Sequence, residues 1–373
     1  MTTEPIPVLD DVVRMQAVDK RNMLRLINEL PEQCETALGV ARNFALEPFV
    51  NAPSDIFITG VGDSAIAADM ALAVLSEQAD IPILSDCGGR LPKHIGEKSL
   101  VFVLDYAGKS RSALRNMRDA RQRGASVICI SGGGKLLEQA AKDGIGRISI
   151  PPGQPQRTAI GYLLVPIIVT VERLGLVEGE VEKLSHAIKL MKNARESLRF
   201  ENPIRRNVAK QLAQSLFGKL TVIYGAYGYR TAVARRWKSQ INSNSKMLAF
   251  CGTLQDLATG DISGYELAAK RADDVAVVLL RDRADKPAIS NLSDAVAGVL
   301  EQFEVVNANV QGNSTTEKLF YGLYLGDYVS YYLAVLNDTD PFRTENVLEV
   351  EARMVEDAQP ATTPGTMDDQ AEE

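Results

Sequence analysis

Ile56-Phe57-Ile58-Thr59-Gly60-Val61-Gly62-Asp63-Ser64 decides how this chain is read. Three apolar residues rich in β-branched and aromatic types predict a short buried strand. Two glycines one residue apart then free the backbone to turn, and Asp63-Ser64 open a helix. A glycine turn between strand and helix begins a βαβ unit, and the helix N-terminus behind it favours anions. Position 65 is alanine, so the turn is not the G-x-G-x-x-G of a dinucleotide site. Ser64 reads either as the N-cap of that helix or as a phosphate contact.

The same grammar repeats on both sides of this stretch. Further strands are predicted at Ile81-Pro82-Ile83-Leu84, Leu100–Leu104, Val127–Ile130 and Ile148-Ser149-Ile150, with helices over about 64–77, 110–124 and 134–142. Residues 158–199 read as mostly helical, broken at Gly175. The pattern restarts at Leu220–Tyr224, followed by a helix to about 240. Strands at Val275–Leu280 and Val305–Val310 flank a helix over 286–302, and two helices close the chain at about 315–337 and 343–355. Alternating strand and helix predicts two α/β lobes, each with a parallel sheet. The expected boundaries are an N-terminal helical segment at 1–44, a first α/β domain at 45–178, a linker helix at 179–202 and a second α/β domain at 203–356. An acidic tail at 357–373, without Lys or Arg after Arg353, is expected to be disordered.

Composition narrows the function classes. The chain has 373 residues, 45% hydrophobic and 24% charged, with a net charge of −7. That balance fits a globular protein and argues against nucleic acid or an anionic membrane as partner. No run approaches the roughly 18 apolar residues of a membrane helix, and Met1–Pro5 carries no basic, apolar signal, so a cytoplasmic location is expected. Cys34, Cys87, Cys129 and Cys251 form no CxxC pair and read as reduced, half-buried small residues. With only two histidines, His94 and His186, no histidine-based metal centre is expected.

Two more loops share the geometry of the first. Asp105-Tyr106-Ala107-Gly108-Lys109-Ser110 and Ser131-Gly132-Gly133-Gly134-Lys135 each follow a predicted strand. Hydroxyls and backbone N–H groups in such loops hold anions. Asp105 would oppose an anion if it pointed inward, and Lys109 could offset it; both Asp105 and Ser110 read equally well as turn and cap residues. Three such loops at strand C-terminal ends fit a ligand crevice at a topological switch point.

These loops combine with Pro152-Gly153-Gln154-Pro155-Gln156-Arg157-Thr158-Ala159-Ile160-Gly161-Tyr162, Trp237-Lys238-Ser239-Gln240-Ile241-Asn242-Ser243-Asn244-Ser245-Lys246, Gly326–Ala334 and Asp340-Pro341. Taken in order over roughly residues 30–357, they resemble the bifunctional phosphoglucose/phosphomannose isomerase family. The resemblance implies two doubly wound, three-layer sugar isomerase (SIS) domains, a homodimer, no metal or cofactor, and a sugar phosphate held between the domains. It assigns substrate or phosphate contacts to Gly62, Ser64, Gly108, Lys109, Ser110, Arg157 and Lys246. It also exposes departures. The family's first two loop serines are Asp105 and Ala107, its catalytic Glu is Ser243, its catalytic His aligns with Thr259, and a lysine of the last helix aligns with Glu351.

An aldose–ketose isomerase moves a proton between adjacent carbons, and a hydroxyl without an activating partner is a poor base. The resemblance therefore implies either a non-catalytic protein that senses a sugar phosphate, or an isomerase whose acid–base work has moved to Asp256 or Asp261. A third reading is an interaction module for another enzyme of sugar-phosphate metabolism. Tyr321, Tyr324, Tyr328, Tyr331 and Tyr332 read as a packed helix or, alternatively, an interface. Arg205-Arg206, Arg235-Arg236 and Lys238 read as solvated faces.

Overall fold

The structure, a computed structural model, describes residues 7–46 and 53–356; the expected acidic tail lies outside the described residues. Three helices come first, α1 Val12–Val18, α2 Met23–Asn28 and α3 Leu30–Arg42. The first lobe then alternates β1 Asp55–Gly60, α4 Asp63–Leu75, β2 Ile83–Asp86, β3 Ser99–Leu104, α5 Arg111–Gln122, β4 Ser126–Ser131, α6 Gly134–Lys142 and β5 Gly146–Ser149. Its strands are parallel in the order β2-β1-β3-β4-β5. This doubly wound order puts a switch point between β1 and β3, where a crevice forms outside the strand C-termini.

Helices α7 Ile160–Arg173 and α8 Glu180–Leu198 join the lobes, with Gly175 and Gly179 in left-handed conformation between them. The second lobe runs α9 Val208–Leu216, β6 Leu220–Gly225, α10 Tyr229–Gln240, β7 Ala249–Thr253, α11 Leu254–Thr259, α12 Tyr265–Ala268, β8 Val275–Asp282, α13 Pro287–Val299, β9 Glu304–Val310, α14 Thr315–Leu336 and α15 Glu345–Glu356. Its sheet has the order β7-β6-β8-β9, again parallel, so the two lobes repeat one topology with one strand fewer in the second.

Two differences from the sequence reading have local causes. β2 begins at Ile83 rather than Ile81, because Pro82 has no N–H to give and contributes only its carbonyl, which accepts from Ile56 N at 2.9 Å. β7 is absent from the sequence expectation: Ala-Phe-Cys-Gly-Thr is short, contains glycine, and leaves Phe250 and Cys251 exposed on a sheet edge.

One hydrophobic core runs through both lobes. Its axis is α14, whose tyrosines are buried inside the chain rather than offered as an interface. Tyr324 and Tyr328 hydroxyls both reach Asn28, and Tyr332 donates to Leu198 O at 2.5 Å. Trp237 of α10 is fully buried against α14 and donates to Gly322 O at 2.8 Å. A Cβ at Gly326 would lie 2.2 Å from Trp237 Nε1, so only glycine admits the indole there.

Candidate functional site between the lobes

Helices α4 and α10 carry the lobe boundary. On α10, Val233, Arg236, Trp237 and Gln240 recur at helical period and are all buried. Arg236 is fully buried, not solvated: Nε and Nη2 bind Asp327 Oδ1 and Oδ2 at 3.0 and 2.8 Å, Nη1 reaches Asp63 Oδ1 at 3.2 Å, and Nη2 also donates to Arg157 O at 2.6 Å. Burial raises the Asp327 carboxyl and Arg236 opposes the rise. Arg235 beside it pairs with Asp69 and donates to Cys87 Sγ at 3.1 Å. The expectation of solvated charge holds for Arg205 and Arg206, which are exposed, and fails for this pair. The period that places Arg236 with Val233 and Trp237 is the signal for its burial, and the doubled arginine masks it.

Arg157 sits next to this network. It is 8% exposed, and its Nε donates to Asn244 Oδ1 at 2.9 Å while Nη2 donates to Pro341 O and Phe342 O at 2.9 Å each. Asn244 belongs to a π-helical turn, Ile241–Ser245, that ends α10, a geometry common at functional positions. Lys246 closes the turn in left-handed conformation, φ 57°. Its Nζ donates to Ser243 O, Asn244 O and Asp340 O at 2.7, 3.2 and 3.0 Å. Partial burial of the ammonium, with Arg157 nearby, brings its pKa down to about 8. Ser243 and Lys246 line one cavity of about 560 Å³ beneath the 338–347 segment, and Arg157 lines a second of about 700 Å³.

The first-lobe loops meet this group through Gln156. Its Nε2 donates to Val61 O at 3.0 Å and to Ser64 Oγ at 3.3 Å. Gly62, φ 60°, is the N-cap of α4, so Ser64 is not the cap; it lies inside the first turn and is 1% exposed. Ser110 does cap its helix, α5, accepting from Ala113 N at 3.4 Å and sharing a 2.8 Å hydrogen bond with Ser112 Oγ. Asp105 folds back on its own loop, where Oδ2 accepts the Ser110 N–H at 2.7 Å. A carboxylate thus occupies a donor that a bound phosphate would use. Gly108, φ 66°, is held so close to the next loop that a Cβ would meet Gly133 O at 1.8 Å. Lys109 is exposed.

Thr259, Asp256 and Asp261 are elsewhere. α10 leaves the C-terminal end of β6 and returns to the start of β7, so Ser243 lies at the N-terminal edge of the second sheet, where Asn242 and Ala249 exchange hydrogen bonds. α11 leaves the opposite edge. The 12 residues of α10 span about 18 Å. Thr253 caps α11, and Asp256 in its first turn accepts from Thr253 Oγ1 at 2.7 Å, while Asp261 accepts from Tyr224 OH at 3.3 Å. Thr259 Oγ1 donates to Gln255 O at 2.8 Å. Within one chain these groups and Ser243 do not share a site. His94 and His186 are exposed, Cys34 and Cys129 are buried, and Cys87 and Cys251 are exposed thiols. The Glu351 side chain lies outside what the structure describes.

Comparison with known proteins places this geometry. The profile of the bacterial phospho-glucose isomerase C-terminal SIS domain matches residues 205–354. The bifunctional phosphoglucose/phosphomannose isomerase of Caldicellulosiruptor bescii is 32% identical over 338 residues, covering 90% of this chain and 99% of the relative. The enzyme of the same name from Aquifex aeolicus is 27% identical over 80% of this chain and 90% of its own length. Among solved structures, a glucose-6-phosphate isomerase like protein from Thermus thermophilus matches with a TM-score of 0.60 at 20% identity, over 90% of this chain and 98% of that one. Tagatose-6-phosphate ketose/aldose isomerase from Escherichia coli gives 0.67 at 14% identity, over 86% and 94%. The two structures share the fold. The chain belongs to the bifunctional phosphoglucose/phosphomannose isomerase family.

Proposed function

We propose that this chain binds sugar phosphates between its lobes without interconverting them efficiently, and senses or regulates hexose-phosphate metabolism. The observation that carries the reading is Ser243. The position that supplies a carboxylate base in the resemblance holds a hydroxyl, and Asp256 and Asp261 stand at the other edge of the same sheet. Proton transfer needs its base within hydrogen-bond reach of the reacting carbon's proton. What supports the binding half is that Arg157, Lys246 and Gln156 gather around Asn244 and Ser64.

The working form in this reading is a homodimer in the cytoplasm. Edge strand β2 exposes Leu84, and edge strand β7 exposes Phe250 with Leu248 just before it, apolar edges of the kind that a second copy covers. The four cysteines are free thiols, which suits a reducing compartment, and no described helix is long and apolar enough to cross a membrane. A protein partner from sugar-phosphate metabolism would transmit the sensed state.

A coupled assay from glucose 6-phosphate or mannose 6-phosphate to fructose 6-phosphate tests the catalytic half. We expect no turnover at high enzyme concentration; turnover lost in Asp256→Asn or Asp261→Asn would overturn the reading. Thermal shifts test the binding half, since a hexose phosphate at 100 times its Kd stabilises by about 2.7 kcal/mol.

A further inference from the structure

We infer that the phosphate of the ligand is taken not by the β3–α5 loop but by a cationic cavity at the junction of the N-terminal turn, the 153–157 loop and the 340–348 segment. The inference rests on the binding half of the function proposed above and assigns the anion subsite within it.

The loop after β3 is already filled. Asp105 accepts the Ser110 N–H, the Ser110 hydroxyl is engaged with Ala113 N and Ser112, and the Ser64 hydroxyl is buried against Gln156. A phosphate entering there meets a carboxylate, and like charges at about 4 Å cost roughly 1 to 4 kcal/mol between bulk-water and surface dielectrics.

The 153–157 loop that reaches Ser64 through Gln156 turns its other side to a cavity of about 700 Å³. Lys20, Arg21, Arg157 and Arg343 line it, with Phe342 among them. Lys20 and Arg21 are exposed and have no carboxylate partner among the described residues, so their charge is available to an anion in the cavity. They are held in place rather than trailing. Asp19 accepts Met23 N at 2.7 Å and Leu24 N at 2.9 Å, and Asn22 takes the left-handed conformation, φ 57°, so the turn that bears Lys20 and Arg21 is fixed. The Arg21 guanidinium stands over the Phe342 ring at 5.1 Å and that of Arg157 at 6.0 Å. Arg157 spends Nε and Nη2 on the protein, and its Nη1 has no hydrogen-bond partner among the described residues.

Two carboxylates also line the cavity, one of them neutralised by a cation and one still charged. Glu345 is paired with Arg343, and Asp340 Oδ1 accepts the Phe342 N–H at 2.8 Å. With Arg343 and Glu345 paired, three cations face one carboxylate in a concavity of ligand-binding size, a lining that suits a monophosphorylated sugar or free phosphate.

Calorimetric titration of the full chain with glucose 6-phosphate and with inorganic phosphate decides the matter. Arg21→Ala is expected to weaken glucose 6-phosphate roughly tenfold and Lys20→Ala/Arg21→Ala further, the size of losing charge-assisted contacts. Arg271→Ala, which removes an exposed arginine remote from the cavity, is the control for lost charge and should bind as the wild type does. Wild-type affinity in the Lys20 and Arg21 variants, with binding lost in Ser110→Ala, would overturn the assignment and leave the sugar-phosphate reading standing. Binding of inorganic phosphate that depends on Arg21, with no response to glucose 6-phosphate, would keep the subsite and remove that reading. If neither probe binds, both fall.

Discussion

Arg236 and Asp327 form a buried bidentate ion pair, with N–O distances of 3.0 and 2.8 Å, between the helix that bounds the second lobe and the helix at the centre of the molecule. The same guanidinium reaches Asp63 and the Arg157 carbonyl of the first lobe, so one side chain ties both lobes to α14. A buried pair broken from one side leaves an uncompensated charge, which costs about 3 to 5 kcal/mol. Asp327→Ala should lose that much in urea unfolding. Arg236→Met/Asp327→Leu should recover most of it, because an apolar pair of similar volume is often neutral. If the double variant is as unstable as the single one, the pair is needed for more than charge balance.

Asp105 gives a second test, now of the loop. Replacing it with serine frees the Ser110 N–H and removes an internal anion. The repulsion relieved is at least about 1 kcal/mol, so inorganic phosphate should bind Asp105→Ser at least about fivefold more tightly than the wild type. The gain should vanish in Asp105→Ser/Ser110→Ala. An unchanged titration would mean that the loop does not address the ligand at all.

How much of the molecule is legible in the sequence follows from which forces are local. The parallel sheets, the glycine turns and the helices of 110–124, 134–142 and 315–337 rest on short-range pattern and turn chemistry, and they can be read directly. The short edge strand β7 cannot, because its existence depends on pairing with β6, Thr221 against Ala249, and not on its own composition. At the site, Arg157 and Lys246 come from the family resemblance; Asp63, Asp327 and Gln156 matter only through contacts between lobes, which no local pattern encodes. Ser64 stands at the expected turn but not in the capping role, since the backbone of Gly62 already caps the helix.

Lys246 predicts a pH dependence. Burial of its ammonium, with Arg157 adding to the effect, holds its pKa at about 8 against an ordinary value of about 10.4. Across that window the unfolded chain carries a proton that the folded chain has released. Stability attributable to this group therefore rises as pH climbs from about 8 to 10, and is absent below about 8. Thermal unfolding of wild type and Lys246→Met from about pH 7 to 10 should show the variant's advantage shrinking, or its deficit growing, as pH increases. A difference that stays flat across the window would place the lysine's ionisation in the ordinary range.

Ser243→Glu is the sharpest test of the proposed loss of catalysis. Ser243 lines the same cavity as Lys246, and the Lys246 ammonium already touches the Ser243 carbonyl at 2.7 Å. A carboxylate introduced there favours the charged lysine, so the Lys246 pKa should rise from about 8 toward its ordinary value, readable by NMR of the labelled ammonium. The variant also restores the base that the family resemblance places at this position. A base alone contributes typically about 10² to 10⁴ in rate, so the coupled isomerase assay should move from nothing to slow turnover, with Ser243→Gln remaining silent. Thr259→His alone should add nothing, because Thr259 sits at the far edge of the sheet from Ser243 in the same chain. Brisk turnover in the Thr259→His single variant, with none in Ser243→Glu, would show that the missing proton shuttle is not the defect at Ser243.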